Sequence, residues 1–219
     1  MSDEIPEVVI LRLPLYVRVL SQLESRGIEV ASSQVLGDFL QISPALVRKD
    51  LHYFGRFGTQ GQGYQVRQLK NELRQILGLD RTWTMALVGV GQLGTAILSY
   101  GGFQQQGFHI VAAFDADPAR VGSRAGDLII QDVRELQETV RSKGIAIGIV
   151  AVPAAAGQGV ADALVASGIR GILNYAPFRV HVPPSVWVRD VDPVVVLQSI
   201  TFHLKAVCGQ RPVASLALT

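Results

Sequence analysis

Gly89, Gly91 and Gly94 stand at G-x-G-x-x-G spacing, with Val90, Gln92 and Leu93 between them. Glycines in this pattern do not react; they clear space for a pyrophosphate. The first allows a tight turn, the second lets backbone approach the phosphates, and the third lets a helix pack closely on a strand. The free N–H groups at the helix start then hold the anion. A carboxylate accompanies them. Asp115 follows the apolar run His109–Phe114, 26 residues after Gly89. A carboxylate ending a second strand accepts hydrogen bonds from ribose hydroxyls and repels a 2′-phosphate, which favours NAD(H) over NADP(H). The local alternative is that Asp115 or Asp117 only caps the loop into Pro118. Val152 and Pro153 end one later strand candidate, and Asn174, Tyr175, Ala176 and Pro177 end another. Both stretches fall where strand ends border a ligand crevice, so Val152, Pro153, Asn174, Ala176 and Pro177 are candidate cofactor contacts. Prolines there would equally serve to stop strands.

Other residues suit a different chemistry. Residues 41–76 hold Arg48, Lys49, Arg56, Arg67, Lys70 and Arg74 against only Asp50 and Glu72. That excess suits a phosphate backbone, although a solvated helix face has the same composition. The histidines His52, His109, His181 and His203 form no spaced pair with a carboxylate that would signal acid–base catalysis. No Cys/His cluster suggests a metal. Cys208 is the only cysteine, so no intrachain disulfide forms, and a cytoplasmic setting is expected.

These residues need elements to position them. Leu13, Tyr16, Val17, Leu20 and Leu23 form one helical stripe, with Pro14 starting or kinking the helix and Arg26-Gly27 ending it. Ser32-Ser33 caps a helix over 34–40. Ser43 caps a third helix that has Pro44 at its first position and runs to about Phe54. Val47, Leu51 and Phe54 face inward on it, and Ala45, Arg48, Lys49 and His52 face outward. This is helix-turn-helix organisation. Residues 55–66, with glycines at 55, 58, 61 and 63, are predicted to form a β-hairpin wing. A three-helix packing module with a glycine-rich linker is the plainer alternative. The candidate DNA-facing residues are Ser43, Ala45, Arg48, Lys49, His52, Tyr53, Arg56 and Gly61.

A helix over 67–79 closes the first domain. Strands are then predicted at 84–89, 109–114, 128–130, 145–151, 171–173 and 186–189, with helices at 92–104, 133–142 and 157–167. Such alternation implies a parallel sheet. Asp192-Pro193 opens a last helix to about Val207, whose stripe of Val196, Ile200 and Leu204 is free to pack on another domain or subunit. The expected domains are 1–79, 80–191 and 192–219. At 219 residues the chain has room for such a division. No apolar run reaches 18 residues, so no membrane span is expected, and the acidic N-terminus does not resemble a signal peptide.

With these pieces in place, the chain resembles the Rex family of redox-sensing transcriptional repressors over nearly its whole length. The residues that carry the resemblance are Arg12-Leu13-Pro14-Leu15-Tyr16, Val47-Arg48-Lys49-Asp50-Leu51 with Tyr53-Phe54-Gly55, and Gly61-Gln62-Gly63-Tyr64. Gly89 to Gly94, Ala112-Ala113-Phe114-Asp115 and Gly171-Ile172-Leu173-Asn174 complete the set. The resemblance implies an α/β architecture: an N-terminal winged helix-turn-helix domain, a Rossmann-type parallel-sheet domain, and a C-terminal helix swapped between subunits of a homodimer. It implies binding to inverted-repeat double-stranded DNA operators, NAD(H) as ligand, and release when NADH replaces NAD⁺. It further implies that Arg18, Tyr100 and Asp192 communicate ligand state. Two positions depart from the family's pattern: Gln60 stands where the wing tip commonly carries a basic residue, and Pro193 stands where some relatives have an aromatic one. Other readings of the residues are an NAD-dependent dehydrogenase with an N-terminal appendage and a CoA- or nucleotide-binding accessory protein. The first predicts turnover, for which the sequence offers no convincing acid or base, so no enzyme is expected.

Overall fold

The computed structural model describes residues 5–58 and 62–208. The chain divides into two compact units, one ending at Thr82 and the other starting at Trp83.

The first unit is built on α1 (Glu7–Ser25), whose Leu13, Tyr16, Leu20 and Leu23 are buried. Pro14 does not open this helix. The helix begins at Glu7, and Pro14 lies inside it on an exposed position. The buried residues before and after Pro14 hold the helix together there, so one lost N–H is tolerated. The strand β1 (Val30–Ala31) leads to α2 (Ser33–Leu40), where the Ser32 hydroxyl accepts a hydrogen bond from the Val35 N–H at 3.2 Å. Gln41 turns the chain with φ 55°, and α3 (Pro44–His52) starts where the Ser43 hydroxyl accepts from the Leu46 N–H at 3.2 Å. Both serine caps satisfy N–H groups that a helix start leaves unpaired.

The expected wing hairpin takes another form. The strand β2 (Tyr64–Gln65) pairs antiparallel with β1, Val30 opposite Gln65 and Ala31 opposite Tyr64. Among the described residues, the 55–66 segment makes no ladder with itself; its returning strand closes on the strand between α1 and α2. Gly61 and Gln60 lie outside the described residues. Helix α4 (Val66–Ile76) follows directly and buries Leu69 and Leu73 against the same core as Leu36, Val47 and Leu51.

The second unit is a seven-stranded sheet. Its strands are β3 (Trp83–Val88), β4 (Phe108–Asp115), β5 (Arg124–Ala125), β6 (Leu128–Asp132), β7 (Ile147–Val150), β8 (Gly171–Asn174) and β9 (Trp187–Asp190). Their order is β5-β6-β4-β3-β7-β8-β9, and only β5 runs antiparallel. The six parallel strands, counted along the chain, lie in the order 3-2-1-4-5-6, the doubly wound arrangement. Helices cover both faces. Met85 and Leu87 therefore enter one apolar core while Ala86 and Val88 enter another, which explains an uninterrupted apolar run where a half-exposed strand would alternate.

Three connecting elements differ from expectation. The single helix over 92–104 is instead α5 (Gln92–Leu98) and α6 (Gly102–Gln105). Between them the Tyr100 ring folds edge-on to Phe103, with centroids 5.1 Å apart, and a Cβ at Gly102 would collide with it. The helix predicted from residue 133 begins as a 3₁₀ turn over Val133–Glu135 before α7 (Leu136–Ser142). The strand β5 is two residues long, too short to leave a periodic signature. Helix α8 spans Ala154–Ala166 and α9 spans Pro193–Cys208. Every described side chain of α9 from Pro193 to Lys205 is exposed, including Val196, Ile200 and Leu204.

Candidate functional site

The glycine turn lies at the carboxyl end of β3, in the middle of the sheet. Gly89 has φ 95°, its N–H donates to the Phe114 carbonyl at 2.8 Å, and a Cβ there would lie 2.5 Å from the Ala151 carbonyl oxygen. A Cβ at Gly94 would collide with the Gly89 carbonyl oxygen. The turn and the first turn of α5 thus occupy the same space only because both positions lack side chains. We expect Gly94→Ala to push the turn outward, at about 1–3 kcal/mol of strain. Dinucleotide affinity should fall by about tenfold or more, measured by fluorescence titration; retained affinity would show that the turn yields elsewhere.

Asp115 ends β4 beside this turn. One carboxylate oxygen accepts from the Val90 N–H at 2.8 Å and the other from the Asp117 N–H at 2.9 Å. Burial alone would raise its pKa. The two N–H groups and the nearby Arg120 guanidinium outweigh burial and hold the carboxyl below its ordinary range. Asp115 is therefore a fixed anion at neutral pH, and it also shapes the glycine turn. Both aspartates also cap the loop around Pro118, Asp115 through the Asp117 N–H and Asp117 through the Ala119 N–H at 3.0 Å.

The remaining cofactor candidates lie at the carboxyl ends of the neighbouring strands. Val152 and Pro153 follow β7, and the Val152 side chain abuts Gly89: a Cβ there would lie 2.8 Å from Val152 Cγ1. After β8, the Asn174 amide donates to the Phe178 carbonyl at 2.7 Å and to Asp190 at 2.8 Å, and its oxygen accepts from the Ala176 N–H at 3.0 Å. Both of its amide hydrogens are committed, and Asn174 braces the 174–178 turn. Ala176 is buried and Pro177 is exposed on that turn. Gly89 to Gly94, Asp115, Val152 and the 174–177 turn thus sit at one end of four adjacent strands. The crevice falls between β3 and β7, where strand order reverses, the position at which doubly wound sheets bind ligands.

In the first unit, Ser43, Ala45, Arg48, Lys49, His52 and Arg56 are exposed, and Tyr53 is half-buried. Arg48 donates to the Ser33 hydroxyl at 2.8 Å. A recess of about 440 Å³ between α3 and the glycine segment is lined by Arg48, His52, Arg56, Phe57 and Tyr64. The basic excess of residues 41–76 does not form one patch. Arg67 and Lys70 pair with Glu24 of α1, and Arg74 donates to the Leu79 carbonyl at 2.7 Å. Asp50 is withdrawn into the core, so it does not oppose Arg48 and Lys49. Charge counting along the sequence cannot see either rearrangement.

Arg18 is exposed on α1 of the first unit. Tyr100 is exposed in the break between α5 and α6 of the second. Asp192 accepts from the Val194 N–H at 2.9 Å and so caps α9.

A helix-turn-helix unit followed by a dinucleotide-type Rossmann unit defines a nucleotide-responsive transcription regulator. Residues 4–52 match the family described as putative DNA-binding protein N-terminus, and residues 80–178 match the CoA binding domain family. The chain is 51% identical to the redox-sensing transcriptional repressor Rex of Chloroflexus aggregans, over 93% of this chain and 96% of the relative. It belongs to the Rex family of redox-sensing transcriptional repressors; its relatives are named as repressors, and it is not an enzyme. It also resembles RSP, a Rex-family repressor, solved in complex with β-NAD⁺ and operator DNA. That likeness has a TM-score of 0.88 at 33% identity and covers 95% of this chain and 99% of the other. The complex of RSP with β-NADH matches with a TM-score of 0.84 at 33% identity, covering 92% and 95%.

Proposed function

We propose that this chain binds operator DNA through the outer face of α3 and NAD(H) through the crevice at Gly89–Gly94, and represses transcription until NADH releases it. The observation that carries the reading is the pairing on one chain of a basic, exposed α3 with a glycine turn braced by an ionised Asp115. RSP, which shares this architecture, has been solved with NAD⁺ and operator DNA and with NADH. DNA contact falls to Ser43, Ala45, Arg48, Lys49, His52, Tyr53 and Arg56, with Gly61 at the wing. The cofactor lies along Gly89 to Gly94, Asp115, Val152, Pro153 and the 174–177 turn. The domains are 1–79, 80–191 and 192–219.

The functional species is a homodimer on an inverted-repeat operator, because two half-sites match two winged helices related by a two-fold axis. Helix α9 swaps between subunits; its uncovered apolar side chains supply the motive. No helix among the described residues is long and apolar enough to cross a membrane, and we place the protein in the cytoplasm with its DNA. The CoA binding domain match favours a second reading as a CoA-binding protein. Asp115 argues against it, because CoA presents a phosphorylated adenosine ribose to the anion.

Changing Arg48 or Lys49 to Ala tests the interface. Operator affinity should fall, and for a phosphate contact the salt slope should drop by about one unit. Unchanged binding by both variants would move the interface off α3. The switch has its own test. NAD⁺ carries a positive nicotinamide ring and NADH a neutral one, so each must favour a different protein state. Asp192, held by Arg18 in one state and by Tyr100 in the other, converts that difference into a new spacing of the winged helices. Asp192→Ala should therefore bind NADH yet stay on the operator. A normal NADH response from the folded variant would leave Asp192 only its capping role.

A further inference from the structure

We propose that Arg120 is a second specificity-determining residue of the nucleotide site, a cation that moderates the rejection of a 2′-phosphate by Asp115. The proposal rests on the nucleotide reading above and concerns the same site. Arg120 closes the loop after β4, where its N–H donates to the Asp117 carbonyl at 2.9 Å and its carbonyl accepts from the Ser123 hydroxyl at 2.6 Å. Its backbone is thus pinned, while its side chain is 44% exposed and able to pivot. The guanidinium reaches back over the crevice. One nitrogen, Nη1, lies 3.4 Å from Asp115 Oδ2 and would lie 3.5 Å from a Cβ at Gly91; Nε lies 3.5 Å from Asp117 Oδ2. A cation therefore stands between the ribose-binding carboxylate and the glycine turn.

The acceptor sites of Asp115 decide what this cation does when a ligand enters. An ionised carboxylate offers about four acceptor sites. Two are taken at 2.8 and 2.9 Å by the Val90 and Asp117 N–H groups, which fix the fold. The Arg120 contact at 3.4 Å is long, and it is the bond a ribose hydroxyl can replace. Displacement by one hydroxyl leaves the guanidinium beside the 2′ position, because its backbone stays pinned. A guanidinium in that place is suited to a phosphate. Asp115 alone would exclude NADPH; Asp115 with Arg120 gives a graded preference for NADH.

Titrating the full-length protein, Arg120→Gln and Arg120→Lys with NADH and with NADPH by nucleotide fluorescence tests this. In the unmodified protein, NADPH should bind measurably but more weakly than NADH. Arg120→Gln should lose about tenfold or more in NADPH affinity and less than about threefold in NADH affinity, and Arg120→Lys should keep most NADPH binding. Equal losses for both nucleotides would place Arg120 on their shared part and overturn the proposal. Unchanged NADPH affinity in Arg120→Gln, or an Arg120→Lys variant as weak as Arg120→Gln, would also overturn it. So would an unmodified protein that binds NADH but no NADPH. An unmodified protein that binds neither nucleotide would instead defeat the nucleotide reading itself.

Discussion

Arg12→Met is expected to destabilise the N-terminal unit by about 3–5 kcal/mol, the cost of stranding a buried charge. Asp50 lies on α3 with its side chain 1% exposed. Arg12 of α1 donates to both of its oxygens, at 2.6 and 2.7 Å, and the Tyr16 hydroxyl adds a bond at 2.9 Å. The bond to Asp50 raises the Arg12 pKa, and burial followed by the same carboxylate raises that of Tyr16, so both remain donors throughout the working pH range. A bidentate arginine is the geometry that makes such a pair tolerable in a core. Without Arg12 the carboxylate keeps one neutral donor, and α3 must move to rehydrate it. Urea unfolding followed by far-ultraviolet circular dichroism, with hydrogen exchange of the α3 amides, would register the loss. Operator binding should fail with it. NADH binding should persist, since the second unit has its own cores. Adding Asp50→Asn to Arg12→Met removes the stranded charge and should recover part of the stability. A loss below about 1 kcal/mol for Arg12→Met would show that the carboxylate finds water without moving α3.

Stopping the chain after Asp190 should abolish the dimer and operator binding together. Val196, Ile200 and Leu204 are exposed in the single chain, and each contributes about 1.5–3 kcal/mol if a second copy fully buries it. Losing all three removes several powers of ten in association. Ile200→Glu in the full chain is the gentler version, because it alters no contact of the single subunit's core. Analytical ultracentrifugation would show a monomer or a large weakening of the dimer. A truncated chain that still dimerises and binds operator would refute the swapped helix.

The features of the fold legible in the sequence are those written in neighbouring residues. Ser43-Pro44 announced α3, the inward stripe of Val47 and Leu51 showed its buried face, and Gly89 to Gly94 after an apolar run marked the turn from β3 into α5. What escaped reading depends on residues far apart in the chain. Asp50 looked like a charge opposing the basic face until Arg12, 38 positions earlier, was found to hold it in the core. Glu24 removes Arg67 and Lys70 from the basic excess in the same way. The wing strand pairs with Val30–Ala31, a segment too short to show periodicity. The bonds from the Asn174 amide to Phe178 and Asp190 likewise join residues that sequence spacing does not connect. The helix predicted over 92–104 runs across Gly101-Gly102, where the structure breaks it into α5 and α6.

Coupling of nicotinamide redox state to DNA affinity in one chain is measured by an operator-binding titration with NADH and NAD⁺ at one fixed salt concentration. Salt must be held constant because phosphate contacts alone make affinity vary steeply with it. NADH should dissociate the protein–operator complex at concentrations where NAD⁺ leaves it intact. Equal dissociation by the two nucleotides, or by neither, would rule out that coupling.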